Sequence, residues 1–190
     1  MNRQERRRAE RDTKGGNGNI KIEDNFLDQK EFDKLQQILI GNSTFAWYYL
    51  DKIVSDGDER FQFIHLFYTN SQWQNEGIIL QEIAKKIEPA ILVKINAKLI
   101  TQTPNIVQNK FHVDLADFLS IDLLKKATTS IFYINTNNGY TIFKDGTRVE
   151  SVANRMVSFP ANMEHAGTSC TDENIRVLLN FNYFERSGKI

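Results

Sequence analysis

The spacing of hydrophobic residues changes near Pro89 and divides the chain into two parts. In the first part, apolar residues recur at three- and four-residue spacing in two segments, which predicts helices over 28–41 and 78–87. Asp28 and Gly41 are suited to cap the first of these helices. Runs rich in aromatic and β-branched residues predict strands at 20–22, 45–50 and 60–69.

Beyond Pro89 the apolar period becomes two, and residues 91–99 alternate between apolar and polar as a half-buried strand does. Further strand-like runs lie at 110–115, 128–135, 139–143, 147–153, 155–160 and 174–184. Turn sequences such as Asn137-Asn138-Gly139 separate several of them. We therefore expect a mainly β fold, a barrel or sandwich, with the two earlier helices packed on one sheet.

The first nineteen residues are charged, then glycine-rich, and contain almost nothing apolar. Such a segment cannot offset the entropy lost on ordering, so 1–19 is predicted to be a disordered tail and 20–190 a single domain. The tail carries a local excess of three positive charges. A solubilising role is favoured, and a weak contact with nucleic acid or another partner is the alternative.

Charge and composition exclude several classes of protein. Lys+Arg 24 against Asp+Glu 24 leaves no net charge, so a protein-wide field that gathers nucleic acid is not expected. Three histidines and one cysteine exclude an internal disulfide and a zinc site with several thiolates. No apolar run is long enough for a membrane span or a signal peptide, which predicts a cytoplasmic protein without a membrane partner. Nothing in the sequence indicates an oligomeric state.

A candidate metal site follows from the histidines of the β half. His112 and Asp114 lie two residues apart on a predicted strand and therefore project from one face. His165 follows 51 residues after Asp114. A neutral imidazole nitrogen and a carboxylate oxygen suit Fe(II), and two histidines with one carboxylate leave half of an octahedron open. Taken alone, a His-x-Asp triplet is a weak signal because it arises by chance.

Arg176 begins the last predicted strand and shares a face with Leu178 and Asn180. An inward-pointing arginine is costly unless an anion meets it. The position of Arg176 therefore predicts an anionic ligand.

The order and spacing of His112-x-Asp114, His165 and Arg176, after two helices, resemble those of the iron(II)/2-oxoglutarate-dependent oxygenases, in particular the prolyl-hydroxylase-like branch. The resemblance covers roughly residues 20–185. Residues 130–140, 154–160 and 165–168 are similar to small uncharacterised oxygenases of tailed bacteriophages. The resemblance implies a double-stranded β-helix, the jelly-roll or cupin-like core, with the metal at one mouth, and the host cytoplasm as location for a phage protein.

This resemblance also implies roles for individual residues. His112, Asp114 and His165 would bind Fe(II), and Arg176 would pair with the distal carboxylate of 2-oxoglutarate. The other end of 2-oxoglutarate would chelate the iron, and dioxygen would be the second cosubstrate. The implied reaction forms succinate and carbon dioxide while a C–H bond of the substrate is hydroxylated. A peptidyl, prolyl-type substrate is slightly preferred over a small molecule, and DNA remains a minority option.

One departure from the family pattern concerns the second contact to 2-oxoglutarate. Many relatives carry a tyrosine on the strand before the His-x-Asp element, where this chain has residues 94–98. Asn96 is the best polar substitute, and Tyr133, Asn135 and Asn180 are further candidates. The alternative for each is a buried side chain with a satisfied polar tip.

Two other functions stay open at this point. One is a non-catalytic β-barrel that serves as a binding or virion-associated module. The other is a cupin-type metalloenzyme that does not use 2-oxoglutarate. Arg176 distinguishes the oxygenase from the latter, because an arginine facing the metal is needed only for a carboxylate cosubstrate. His65, in an apolar strand, is predicted to be a core residue, and Arg155 to touch a substrate or to pair with an acid such as Glu150.

Overall fold

The computed structural model describes residues 19–53, 60–74, 77–116 and 118–186. The predicted tail lies outside these residues, except for Asn19. The strands of the described residues are β1 (Lys21–Glu23), β2 (Tyr48–Leu50), β3 (Gln62–Thr69), β4 (Gln72–Trp73), β5 (Ile91–Thr101), β6 (Ala127–Tyr133), β7 (Tyr140–Phe143), β8 (Arg148–Glu150), β9 (Arg155–Pro160), β10 (His165–Gly167) and β11 (Ile175–Phe184).

The helices lie mainly before β5, as predicted. Helix α1 (Gln29–Gln36) continues as a π-helical turn to Gly41, and a 3-10 turn (Gly77–Leu80) leads into α2 (Gln81–Ile87). Asp28 precedes α1 with extended backbone angles, but its side chain makes no capping hydrogen bond. Helix α2 ends at Glu88, which has a left-handed conformation before Pro89. A third helix, α3 (Ile121–Leu124), is a single turn that the sequence pattern does not predict.

Two antiparallel sheets form the body of the molecule. The large sheet has the order β1-β9-β6-β11-β5-β3-β2, with β4 paired to the end of β3, and the small sheet has the order β10-β7-β8. The sheets face each other, because Tyr133 and Leu178 of the large sheet share an apolar cluster with Phe143 and Val149 of the small one. The predicted sandwich is therefore present, and its interior lies between the sheets.

The helices cover the outer face of the large sheet. Phe32, Leu35 and Leu39 of the first helical segment are buried in one cluster with residues of β6 and β11. The rings of Phe32 and Phe132 meet edge to face with centroids 6.0 Å apart. Each fully buried apolar side chain of this kind contributes about 1.5–3 kcal/mol to the free energy of unfolding. This outer core leaves the inner face of the sheet available for polar residues.

The predicted strand over 110–115 is wrong. Among the described residues this segment makes one isolated bridge, from His112 to His165, and a second bridge joins the preceding Gln108 to Thr168. The chain turns at 114–116, where buried Leu115 joins a separate small core under α3. Because Leu115 is buried in this core, the chain turns here and does not continue as the strand that the alternation of apolar and polar residues predicts.

Several strands are shorter in the structure than predicted. At their ends, side chains take over hydrogen bonds that backbone groups of a neighbouring strand would otherwise make. The predicted strand 128–135 ends at Tyr133, and the Oδ1 atom of Asn135 accepts a hydrogen bond of 2.9 Å from the Val177 amide. Strand β8 likewise covers three of the predicted residues 147–153. The predictions for β5, β9 and β11 are confirmed to within about two residues.

Candidate metal centre

The two histidines of the candidate centre are brought together by a backbone bridge. The His112 amide donates to the His165 carbonyl at 3.0 Å, and the His165 amide donates to the His112 carbonyl at 3.1 Å. Strand β10 is itself paired with β7, so His165 has a fixed position in the small sheet. The ring centroids of the histidines are consequently 4.7 Å apart.

Asp114 completes the cluster. Its Oδ1 atom lies 3.5 Å from Nε2 of His112, and its Oδ2 atom lies 3.5 Å from Nε2 of His165. One ligand atom from each residue lies within 4.8 Å of the other two. The structure therefore brings together the three residues that the sequence selects as metal ligands.

Hydrogen bonds on the far side of each ring fix which imidazole nitrogen faces the cluster. Nδ1 of His112 lies 3.2 Å from the Lys110 carbonyl, and Nδ1 of His165 lies 3.1 Å from the Met163 carbonyl. A carbonyl oxygen can only accept, so Nδ1 carries the proton in both neutral rings and Nε2 keeps its lone pair. Metal-binding histidines are commonly oriented in this way.

The Asp114 carboxylate is held in its charged form. Its side chain is only 7% exposed, and this burial opposes ionisation. The ammonium group of Lys98, 3.7 Å from Oδ1, opposes the effect of burial and is the largest of the contacts that hold the pKa of Asp114 well below its usual value. Asn180 also donates from Nδ2 to Oδ2 at 2.8 Å, which orients the carboxylate.

The cluster lies at one wall of a pocket of about 520 Å³ on the inner face of the large sheet. The polar side chains that line it include Asn96, Lys98 and Asn180, together with His112 and Asp114. Asn96 and Asn180 lie opposite each other on β5 and β11. Sequence analysis selects Asn96 as the polar residue of this part of β5, but Lys98 is the one that contacts the cluster.

Arg176 is fully buried in the same interior. Its Nε atom donates to Ser151 Oγ at 2.7 Å, and its two terminal nitrogens make long contacts of 3.4 Å with the Thr168 carbonyl and Thr141 Oγ1. It forms no ion pair with any residue that the structure describes. Burial lowers the pKa of Arg176, whereas Tyr133, Cys170 and Glu150 act in the opposite direction.

Tyr133 lies beside Arg176, with its ring centroid 5.6 Å from the guanidinium carbon. Its hydroxyl donates to Thr141 Oγ1 at 2.8 Å, and burial raises the pKa of Tyr133, so the hydroxyl keeps its proton. Gly139 lies against the Arg176 side chain, since a Cβ atom at residue 139 would lie 2.7 Å from Cδ of Arg176. Ser151, Thr141 and Gly139 escape sequence analysis because they come from loops and strands whose pairing is set only by the fold.

The remaining candidates have structural roles. Asn135 donates to the Ile175 carbonyl at 2.7 Å and accepts from the Val177 amide, so the backbone of β11 occupies both ends of its side chain. We therefore assign no cosubstrate contact to Asn135. His65 packs on Phe45 and Phe67 as a core histidine, as predicted. Arg155 pairs with both carboxylate oxygens of Asp24, at 2.5 and 3.0 Å, and also donates to the backbone carbonyl of Glu150 at 3.4 Å.

Comparison with known proteins identifies the fold. No protein-family model and no curated protein matches the sequence. Solved structures match over most of the chain. A prolyl hydroxylase from Trichoplax adhaerens, in complex with a hypoxia inducible factor peptide fragment, has a TM-score of 0.63 at 13% identity, with 97% of this chain and 94% of that chain covered.

Two further structures show the same likeness. A Pseudomonas putida prolyl-4-hydroxylase has a TM-score of 0.55 at 14% identity, with 88% of this chain and 93% of that chain covered. The epimerase SnoN, in complex with Fe3+, alpha ketoglutarate and nogalamycin RO, has a TM-score of 0.59 at 13% identity, with 88% and 79% covered. The protein thus has the double-stranded β-helix fold of the 2-oxoglutarate- and iron-dependent oxygenases.

Proposed function

We propose that the protein is an Fe(II)- and 2-oxoglutarate-dependent oxygenase, acting as a hydroxylase. The observation that carries the proposal is the convergence of two Nε2 lone pairs and one ionised carboxylate in a fold that also buries Arg176, which forms no ion pair with a described residue, against the strand of His165. Each part has a specific use in this chemistry, and the fold is that of the same class of enzymes.

The residues present fit an iron ion. His112 and His165 would bind it through Nε2, and Asp114 through its carboxylate, a set of intermediate and hard ligands that suits Fe(II). Asn180 keeps one Asp114 oxygen in position, and the Lys110 and Met163 carbonyls keep both rings in position. Such supporting contacts are part of the affinity of a metal centre.

The surroundings of Arg176 fit the distal carboxylate of 2-oxoglutarate. A planar guanidinium can grip a carboxylate through two parallel hydrogen bonds, and the weak 3.4 Å contacts of its terminal nitrogens leave them free to do so. Ser151 holds the Nε side, and Tyr133 lies alongside. We propose Tyr133, Asn96 and Asn180 as secondary contacts of the cosubstrate.

Bound iron, with 2-oxoglutarate and dioxygen, supplies oxidative decarboxylation to succinate and carbon dioxide coupled to C–H hydroxylation. The chain contributes the positions of the reactants. The substrate is a prolyl-type peptide or a small molecule, since the matched structures include a prolyl hydroxylase with a peptide and an epimerase with nogalamycin RO. Arg176 argues against a cupin-type enzyme without 2-oxoglutarate, and the ordered ligand shell argues against a non-catalytic module.

The decisive experiment adds Fe(II) and 2-oxoglutarate to the purified protein without oxygen. We expect the weak visible charge-transfer band of the chelate, at a stoichiometry of one per chain. The band should disappear in Asp114→Ala and persist in Lys125→Met, which alters an exposed lysine paired with Asp122. A folded wild-type sample that binds iron but shows no band would contradict the proposed function.

A further inference from the structure

Two neighbouring strands, β11 and β5, carry a row of paired residues on the inner face of the large sheet. On β11 the interior residues are Arg176, Leu178, Asn180 and Asn182, and they lie opposite Ile100, Lys98, Asn96 and Lys94 of β5. Arg176 is therefore at one end of this surface and Lys94 at the other, about 20 Å apart along the strands. Asp114 contacts Asn180 and Lys98, which places the candidate metal centre between the two ends.

Lys94 is half-buried, and no acidic side chain among the described residues forms an ion pair with it. It lines the same pocket as the metal ligands, and its Nζ atom lies 5.5 Å from the centroid of the Phe118 ring. Lys94 and Lys98 line the same pocket, and burial and the charge of Lys98 lower the pKa of Lys94, while Asp114 acts in the opposite direction.

The sum of charges around the pocket indicates that these lysines lack a counterion of their own. With the proposed function in place, the charges of Fe(II), Asp114, Arg176 and the 2-oxoglutarate dianion cancel. Asp114 is the only acid among the described residues that line the pocket, and it is already used by the metal. Lys98 then shares Asp114 with the metal ion, and Lys94 has no acid of its own among the described lining residues, which is unfavourable in a partly buried site unless an anion binds there.

We propose that the substrate of this pocket carries an anionic oxygen group, a carboxylate or a phosphate, that Lys94 binds together with Lys98. The inference rests on the proposed function and adds the substrate class to it. 2-Oxoglutarate held by Arg176 occupies the closed end of the surface, so the anion at Lys94 belongs to a second molecule. The pocket wall also includes Leu50, Ile64 and Leu66, which suit an apolar body next to the anionic group.

The size of the pocket is consistent with this assignment. Its volume of about 520 Å³ falls within the range of roughly 300–1,000 Å³ that is typical of small-molecule sites. The same opening also admits one acidic or phosphorylated side chain of a peptide. Both sources present the same charged oxygens to Lys94, and the test therefore includes a member of each.

The binding test uses protein loaded with Mn(II) and 2-oxoglutarate, and inorganic phosphate and acetate as probes. We expect saturable paramagnetic relaxation of the ³¹P or ¹³C signal for at least one probe. Its affinity should fall about 10-fold or more in Lys94→Met, recover in Lys94→Arg and stay at the wild-type value in Lys125→Met. Equal affinity in wild type and Lys94→Met, or no relaxation of either probe in the wild type, would overturn the proposal.

A turnover test separates free ligands from peptides. Succinate formation is measured with matched pairs that differ by one charge: a carboxylic acid and its amide, a phosphate ester and its alcohol, and peptides with glutamate or glutamine. Stimulation by anionic members supports the proposal and identifies the source, and stimulation by neutral members alone contradicts it.

Different measurements contradict the proposed function and the anion site at Lys94. A chain that forms no complex with iron and 2-oxoglutarate contradicts the proposed function. Calorimetric titration of the metal-free protein with phosphate and acetate then still tests Lys94. Binding that depends on Lys94 supports the anion site, and its absence overturns it.

Discussion

At the scale of single residues, Arg176 has the most unusual environment in the described structure. It is the largest side chain buried without exposure, and it has only hydroxyl and carbonyl partners. A buried charge without a counterion lowers the free energy of unfolding, and replacing it by an apolar residue of similar volume is often neutral or stabilising. The residue therefore reduces the stability of the ligand-free protein, which points to a gain on ligand binding.

Arg176→Met tests this interpretation. We expect 2-oxoglutarate affinity to fall about 30-fold, since loss of a buried charge-assisted contact costs about 2 kcal/mol or more, while Fe(II) binding is retained. The ligand-free variant should be at least as stable as wild type in urea. Titration of the visible band and urea unfolding measure the two effects.

Arg155→Met is the matched control, because Arg155 is also buried but is paired with Asp24. It should lower the free energy of unfolding and leave 2-oxoglutarate affinity at the wild-type value. Unchanged affinity in Arg176→Met would mean that the cosubstrate is anchored elsewhere.

At the scale of secondary-structure elements, the position of Arg176 depends on how β11 is tied to the end of β6. Asn135 binds the Ile175 carbonyl and the Val177 amide, the two backbone groups on either side of Arg176. These hydrogen bonds extend the strand pairing that begins at Tyr133 and Leu178. Asn135 is therefore a positioning residue that acts through the backbone of β11.

We expect Asn135→Ala to lower the free energy of unfolding by about 1 kcal/mol, because a partly buried amide and carbonyl lose their partners. The same variant should also weaken 2-oxoglutarate binding several-fold. Asn138→Ala, which removes contacts to Thr171 outside β11, should affect stability alone. A variant of Asn135 that loses stability but binds 2-oxoglutarate normally would show that the side chain has no positioning role.

The same scale shows why sequence patterns predict some elements and miss others. Strands β5, β9 and β11 have clear alternation because one face packs on the helices and the other faces the interior. The segment with His112 and Asp114 has similar residues but crosses between the sheets as a loop, and nothing local distinguishes the two cases. The three candidate ligands still lie together, because the spacing of a few residue types does not depend on whether their backbone is a strand.

At the scale of the whole molecule, the cluster of candidate site residues could be predicted from the sequence better than the residues that surround it. His112, Asp114, His165 and Arg176 meet in one interior as expected, whereas Lys94 and Lys98 are ordinary lysines of an amphipathic strand until the fold places them beside the cluster. None of the helices among the described residues is long and apolar enough to cross a membrane. The resemblance to phage oxygenases and the tail over 1–19 stay predictions.

Ligand binding should stabilise the molecule as a whole, because it compensates Arg176 and joins the two sheets at the metal centre. With Mn(II) and 2-oxoglutarate each at about 100 times its dissociation constant, mass action predicts about 2.7 kcal/mol for each ligand. The corresponding rise in Tm is about 5–10 °C for each ligand in a chain of this length. Differential scanning calorimetry measures it, with Asp114→Ala as a control that should show little response to Mn(II). A wild type without any rise would contradict ligand binding.

The bridge between His112 and His165 has a further consequence for how the centre exchanges its metal. His165 belongs to a paired strand, whereas His112 and Asp114 lie on a connection fixed to the body by isolated bridges. Segments with few backbone pairs open at lower free energy than the sheets do. If these residues hold iron as proposed, we expect release and uptake of the ion to follow local opening of this connection, with His165 staying in place on its paired strand.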